Sequence, residues 1–210
     1  MSVADASPGS SRRPIDIFYA IYFVILIPIT LLIDLQSFYP PAVVPQYLKD
    51  LTAFYIGRSG DPLMARTLGG PAQMAWFDTF AYLEAGFQLP IFFLTIYGLV
   101  QGNAGVYVLT LIYGVHTATT ILPCIATFMA IPTAVAGILA TPDSSILNPP
   151  LAFVADQKQF LIANYVPFLL ITIGMAVDSA LQLWRMVREA EGQVINRKLA
   201  KSIMTGKKTE

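Results

Sequence analysis

Residues 17–33 read IFYAIYFVILIPITLLI, 17 residues without a charge. At 1.5 Å per residue such a helix covers about 25 Å, close to the roughly 30 Å hydrocarbon core of a bilayer. Three more stretches of this kind follow. Residues 80–100 are interrupted by Glu84 and Gln88, residues 104–131 only by His116, and residues 160–184 carry Asp178 near their end. Backbone groups in lipid must be satisfied within the segment, so each stretch is predicted to be a helix. Arg12 and Arg13 look like the start of a secretory signal. However, 17 apolar residues exceed the usual apolar region, and Ile33-Asp34-Leu35 is no small-residue cleavage site. The first stretch is therefore expected to stay as a membrane helix. The fold class is an all-α membrane protein, a four-transmembrane-helix bundle.

Composition agrees. Of 210 residues 55% are hydrophobic and only 12% charged, against about 25% charged in a soluble domain. The mean hydropathy is +0.61. Formal net charge is zero, which argues against a nucleic-acid partner, since that needs a basic face. One cysteine, Cys124, allows no disulfide within the chain, and one histidine, His116, allows no multi-histidine metal centre. No metal and no cofactor are expected. Phosphate-binding and dinucleotide-binding glycine motifs and the Gly-x-Ser-x-Gly motif do not occur. Cys124 and His116 lie eight residues apart on one helix, about 12 Å along its axis, too far to act as a nucleophile and its base.

Lysine and arginine placement sets the orientation. Arg12 and Arg13 precede the first span, and seven basic residues follow the fourth, from Arg185 to Lys208. The positive-inside rule puts both termini in the cytosol. Residues 1–14 then form a cytosolic segment, 15–185 the transmembrane domain, and 186–210 a basic cytosolic tail. Gln101-Gly102-Asn103 is a tight cytosolic hairpin. The connections 35–79 and 132–159 are expected to face the lumen or exterior.

The first long connection has structure of its own. Val44, Tyr47, Leu48, Leu51, Phe54 and Tyr55 recur at helical spacing, with Pro45 early and Gly57 at the end. This predicts a short luminal amphipathic helix, lying either across the mouth of the bundle or on the lipid interface. Each span holds a proline, Pro28, Pro90, Pro123 and Pro167. Interior proline kinks a helix, and four kinked helices can splay around a cavity.

An ionisable side chain at membrane depth is a functional-site hypothesis by default. Asp34 ends the first span, with Thr30 one turn earlier. Glu84 with Gln88, and His116 with Thr120, are i, i+4 pairs that share a helix face. Asn164 and Tyr165 bring polar atoms to the start of the fourth span. Together they predict a polar-lined pocket in the luminal half, with a carboxylate as proton donor or as counter-ion to a cationic ligand. The structural alternative is that Glu84 and His116 only hydrogen-bond between helices, and that Asp34 only ends its helix. Asp178 is expected to snorkel or to pair with an arginine. Asp61-Pro62 reads as the cap and first residue of a short helix.

These residues carry a resemblance. Tyr22-Phe23, Ile27-Pro28-Ile29-Thr30 and Asp34-Leu35-Gln36, then Asp61-Pro62-Leu63, then Glu84 with Phe87-Gln88-Leu89-Pro90, then Val115-His116-Thr117 with Thr119-Thr120, and finally Tyr165 with Pro167, occur in order. The set resembles the sigma-2 receptor (transmembrane protein 97) family, within the superfamily of emopamil-binding protein, a sterol isomerase. The resemblance implies a pocket opening laterally to the bilayer and a homodimer in the endoplasmic reticulum membrane. It implies Asp34 as the acid that meets a ligand amine and Asp61 as its support. It further implies Glu84, Gln88, Thr120 and Tyr165 in the pocket lining. Fungal relatives are described as efficient mitochondria targeting-associated proteins. Two departures stand out. Phe168 replaces an expected tyrosine. Phe80 stands where the isomerase branch has a histidine one turn before the glutamate, and without that group isomerisation is harder to arrange.

The reading is a non-enzymatic sterol- or lipid-binding membrane protein, with sterol handling or protein and organelle targeting as its setting. Its ligand-binding residues are Asp34, Asp61, Glu84, Gln88, His116, Thr120 and Tyr165. The alternatives are a sterol double-bond isomerase using Glu84 and His116 as acid and base, or a targeting or quality-control factor acting through its tail. Lys207 and Lys208, three and four places from the C-terminus, form a dilysine retrieval pattern for the endoplasmic reticulum.

Overall fold

The computed structural model describes residues 13–65, 75–133, 153 and 155–206. Among these residues four helices are long and apolar enough to cross a membrane. The chain is an all-α membrane protein.

Helix α1 (Pro14–Leu32) starts on a proline whose fixed φ suits the first helical position. It passes into a 3-10 turn, Asp34–Phe38. Helices α2 (Gln46–Ser59) and α3 (Pro62–Ala65) follow. Helix α4 (Ala75–Gln101), α5 (Val106–Ala130) and α6 (Ala155–Gly206) complete the bundle. The amphipathic helix expected in the first connection is α2, but Gly57 does not end it. Gly60 does, with φ +63° and its N–H donated to the Ile56 carbonyl at 2.7 Å. The left-handed conformation that closes the helix is open to glycine at no steric cost, whereas Gly57 simply sits inside the helix.

Helix α4 is not uniform. Residues Glu84–Gln88 form a π turn, in which the Leu89 N–H reaches back five residues to the Glu84 carbonyl. Pro90 has no N–H to offer the Gly86 carbonyl and its ring crowds that oxygen. The widened turn directly before it relieves the contact. At the other end, the N–H groups of Asn103 and Gly102 close α4 on the Gly98 and Leu99 carbonyls at 2.9 and 3.2 Å. The Asn103 side chain then accepts the Gly105 N–H at 2.9 Å and α5 begins. This is the hairpin read at Gln101-Gly102-Asn103.

Helices α5 and α6 approach backbone to backbone. A side-chain carbon on Gly114 would lie 2.7 Å from the Thr172 carbonyl, so only glycine allows this contact. Thr110 and Ser179 hydroxyls share a buried 2.7 Å hydrogen bond nearby. Small residues and hydroxyls of this kind hold membrane helices together where lipid removes the hydrophobic drive. The main core gathers Tyr22 and Phe23 of α1, Phe92 of α4, Tyr113 of α5 and Met175 of α6.

At one end of the bundle, Arg13 donates both guanidinium nitrogens to the Asp178 carboxylate at 2.9 Å each, and one of them to Asp16 at 2.7 Å. Tyr107 donates its hydroxyl to Asp16 at 3.1 Å. The arginine that pairs Asp178 is thus 165 positions away, and it ties the start of α1 to the end of the fourth span. These acids hold the Arg13 guanidinium far above its ordinary range. Helix α6 runs through residue 185 without a break and is 52 residues long, about 78 Å. The boundary read there is one of composition, not a helix end.

Candidate ligand-binding cavity

The helices enclose a cavity of about 580 Å³ at the end of the bundle away from Arg13. That volume is within the usual range for small-molecule sites, about 300–1,000 Å³. Most of its wall is apolar, with Leu26, Phe80, Phe92, Ile121, Phe160 and Phe168 among the lining residues. Helix α2 lies across its mouth, with Leu51, Thr52 and Tyr55 facing in, while Tyr47 and Phe54 face outward.

The polar wall begins with Asp34. Helix α1 stops at Leu32, and the freed carbonyls of its last turn find local partners. Gln36 donates its amide to Leu32 at 2.8 Å and Tyr39 its hydroxyl to Leu31 at 2.9 Å. The tighter 3-10 turn that follows directs Asp34 into the cavity. Its partial exposure is to that cavity. The Asp34 and Glu84 carboxyls are neighbours in the wall of the cavity. Thr30 donates its hydroxyl to Glu84 at 2.8 Å, so α1 and α4 meet through this cluster.

Asp61 sits one layer behind. One of its carboxylate oxygens accepts the N–H groups of Leu63 and Met64 at 2.9 and 3.2 Å. The other accepts the Tyr55 and Tyr165 hydroxyls at 3.1 and 3.2 Å. It therefore caps α3 and orients two tyrosines that line the cavity. Burial pushes the Asp61 carboxyl above its ordinary value, and the four donors pull it partly back. Burial beside Asp61 also pushes the Tyr55 hydroxyl up.

Asp34, Glu84, Gln88, Thr120 and Tyr165 all line one cavity. Asp61 reaches it through Tyr55 and Tyr165. His116 is elsewhere: its ring packs on Phe87 with centroids 5.2 Å apart, and its Nδ1 lies 3.3 Å from the Gln88 amide. It steadies Gln88 from the side, and Thr117 donates a further hydroxyl to Gln88 at 3.4 Å. Gln36, which the sequence marks only through the Asp34-Leu35-Gln36 resemblance, is a positioning residue. Its oxygen accepts the Thr52 hydroxyl at 3.3 Å, which ties α2 to the end of α1. Nothing in its local pattern gives its partner, which comes from another helix.

Four helices long and apolar enough to span a membrane, around a largely apolar cavity with two carboxyls at one end, define a multi-pass membrane protein. The chain belongs to the EXPERA, or expanded EBP, superfamily, whose model matches residues 47–179. It is similar to proteins named sigma intracellular receptor 2. It is 35% identical to that of Macaca fascicularis and 34% to that of Homo sapiens, each over 121 residues, or 57% of this chain. It is 31% identical to the Xenopus tropicalis protein over 162 residues, 77% of this chain and 85% of that one. The chain spans 65% of the length of the macaque and human relatives.

Proposed function

We propose that this chain binds a sterol or a similar amphiphilic lipid in the cavity and does not turn it over. The observation that carries this reading is the pairing of an apolar cavity of about 580 Å³ with the Asp34–Glu84 carboxyl pair at its polar end. An apolar body gains about 25 cal/mol for each Å² of surface withdrawn from water. A hydroxyl or amine at its tip finds a carboxyl partner. Asp34, Glu84, Gln88, Thr120 and Tyr165 make the contacts, and Asp61 and His116 hold them in place. The isomerase alternative needs an acid and a base on opposite faces of one ligand. Glu84 lines the cavity and His116 does not, and Phe80 adds no base, which supports binding over chemistry.

The protein acts in the endoplasmic reticulum membrane as a homodimer with both termini in the cytosol, in sterol handling or targeting. The charge bias and the family resemblance support that setting. Lys207 and Lys208, the proposed retrieval signal, lie outside the described residues. Replacing both with serine would release the protein to later membranes.

Lipid co-purification with mass spectrometry tests the binding reading. A sterol or sterol-like lipid should accompany the wild type and Glu84→Gln, and be depleted in Glu84→Leu, which removes the polar partner. Equal lipid content in all three removes Glu84 from the site. Conversion of an added double-bond isomer of a sterol would establish the isomerase instead.

A further inference from the structure

Helix α6 changes character at Gly192. Residues 185–191 hold Arg185, Arg188, Glu189 and Glu191, two charges of each sign. Residues 193–206 hold Arg197, Lys198 and Lys201 and no acid. In this second part Ile195, Leu199 and Ile203 follow at four-residue steps and share one face. Their exposures are 57%, 58% and 63%. Arg197 and Lys201 lie opposite and Lys198 on the flank. A side-chain carbon on Gly192 would meet nothing within 4 Å. No close neighbour requires a glycine there, yet glycine weakens a helix interior.

Distances make the straight helix a poor resting place for these groups. Trp184 marks the membrane interface, and Arg188 stacks on its ring at 4.8 Å. From Trp184 a straight helix places Gly192 about 12 Å and Ile203 about 28 Å further out. The headgroup layer is roughly 5–8 Å thick, and surface fields fade over about 8 Å at physiological salt. A straight rod leaves three aliphatic side chains in water and three cations beyond the field of the bilayer. A bend at Gly192 brings both back to the surface.

We propose that residues 193–206 are a hinged amphipathic helix that docks on an anionic phospholipid surface. The stripe sinks into the interface and the lysine and arginine stems reach the headgroups. A lipid surface is the occupant because the segment directly follows a membrane span and its charge is all of one sign, complementary to acidic headgroups. The proposed orientation enters only in the choice of leaflet, the cytosolic one being the anionic one.

The test uses the full chain with Ser202→Cys, beside the stripe, labelled with a polarity-sensitive fluorophore while buried Cys124 stays unmodified. The protein is reconstituted in vesicles of phosphatidylcholine alone or with phosphatidylserine. With phosphatidylserine the emission should shift to the blue and quenching by an aqueous quencher should fall several-fold. High salt should reverse both. In the combined variant Arg197→Ser, Lys198→Ser, Lys201→Ser the shift should vanish, because each basic residue near an anionic surface strengthens contact about fivefold. Gly192→Ala should weaken it by stiffening the hinge. Cavity binding should be unchanged in every variant, which separates this proposal from the binding reading. A label that stays in water on phosphatidylserine, or that responds equally in the triple variant, overturns the proposal. So does a shift that appears only when cytosol is added, which assigns the face to a protein.

Discussion

Asp34 and Asp61 lie at the same end of the bundle in different settings. Asp34 lines the cavity beside Glu84. Asp61 accepts four donors behind it. Asp34→Asn should keep the fold, since the amide matches the carboxyl in shape, while affinity for a cationic amphiphile falls. The expected loss is about 2–4 kcal/mol, or about 30- to 1,000-fold. Unchanged affinity in radioligand or calorimetric titration would place the ligand charge elsewhere. Asp61 makes a different prediction. Its carboxyl lies above the ordinary 3.8 chiefly through burial. A raised folded value contributes stability that is full below the ordinary value and lost as pH rises through the folded one. In detergent, the melting temperature of wild type relative to Asp61→Asn should therefore drop as pH rises from about 4. A relative gain over that window would mean that the four donors outweigh burial.

At the scale of elements, the π turn Glu84–Gln88 decides which side chains α4 offers the cavity. Both residues lie on its inner side, and Glu84 meets Thr30 at 2.8 Å. Pro90→Ala restores the missing N–H and lets the turn tighten toward α-helix. Helix stability should hold or rise, while ligand affinity falls by about 1.5–3 kcal/mol as the Glu84 contacts are misaligned. A variant that binds as well as wild type would show that the turn is incidental to the site. Helix α2 illustrates what was legible at this scale. Its apolar spacing announced a helix, but its end at Gly60 depends on a left-handed backbone, and Gly57 carries the same residue type without that conformation. The apolar spacing of α2 fits a place at the mouth of the bundle and one on the lipid interface equally. Leu51 and Tyr55 on the inner face decide for the mouth.

Across the whole molecule, the charged clamp and the cavity occupy opposite ends of α1. From Asp16 to Asp34 is about 27 Å. Arg13 binds Asp178 through two 2.9 Å hydrogen bonds. Asp178→Asn should lower stability by about 1.5–3 kcal/mol, the usual range for charged hydrogen bonds. It should leave ligand affinity alone, because no clamp residue lines the cavity. Thermal unfolding with and without ligand separates the two effects. A parallel loss of affinity would mean that the two ends are coupled.

The number of spans, their helical state and the identity of most polar cavity side chains follow from local rules. Uncharged runs of span length must be helical in lipid, and a costly acid such as Asp34 or Glu84 stands out against an apolar background. The i, i+4 spacing brought Glu84 and Gln88 to one wall, yet the same spacing set His116 beside Thr120, and only Thr120 lines the cavity. Spacing defines a face of a helix; the rotation of that helix against its neighbours decides what the face meets. That rotation rests on contacts between distant residues: Gly114 against the backbone of α6, Thr110 with Ser179, Arg13 with Asp178, and Gln36 with Thr52. None of these pairs is near in the chain except the last, and none has a periodic signature. The sequence by itself determined a four-span bundle with acids at membrane depth. Only the tertiary structure decided that Asp34 and Glu84 meet in one wall, that Asp61 works through two tyrosines, and that His116 stands aside. Local propensity acts within a few residues, whereas a site is made where helices cross.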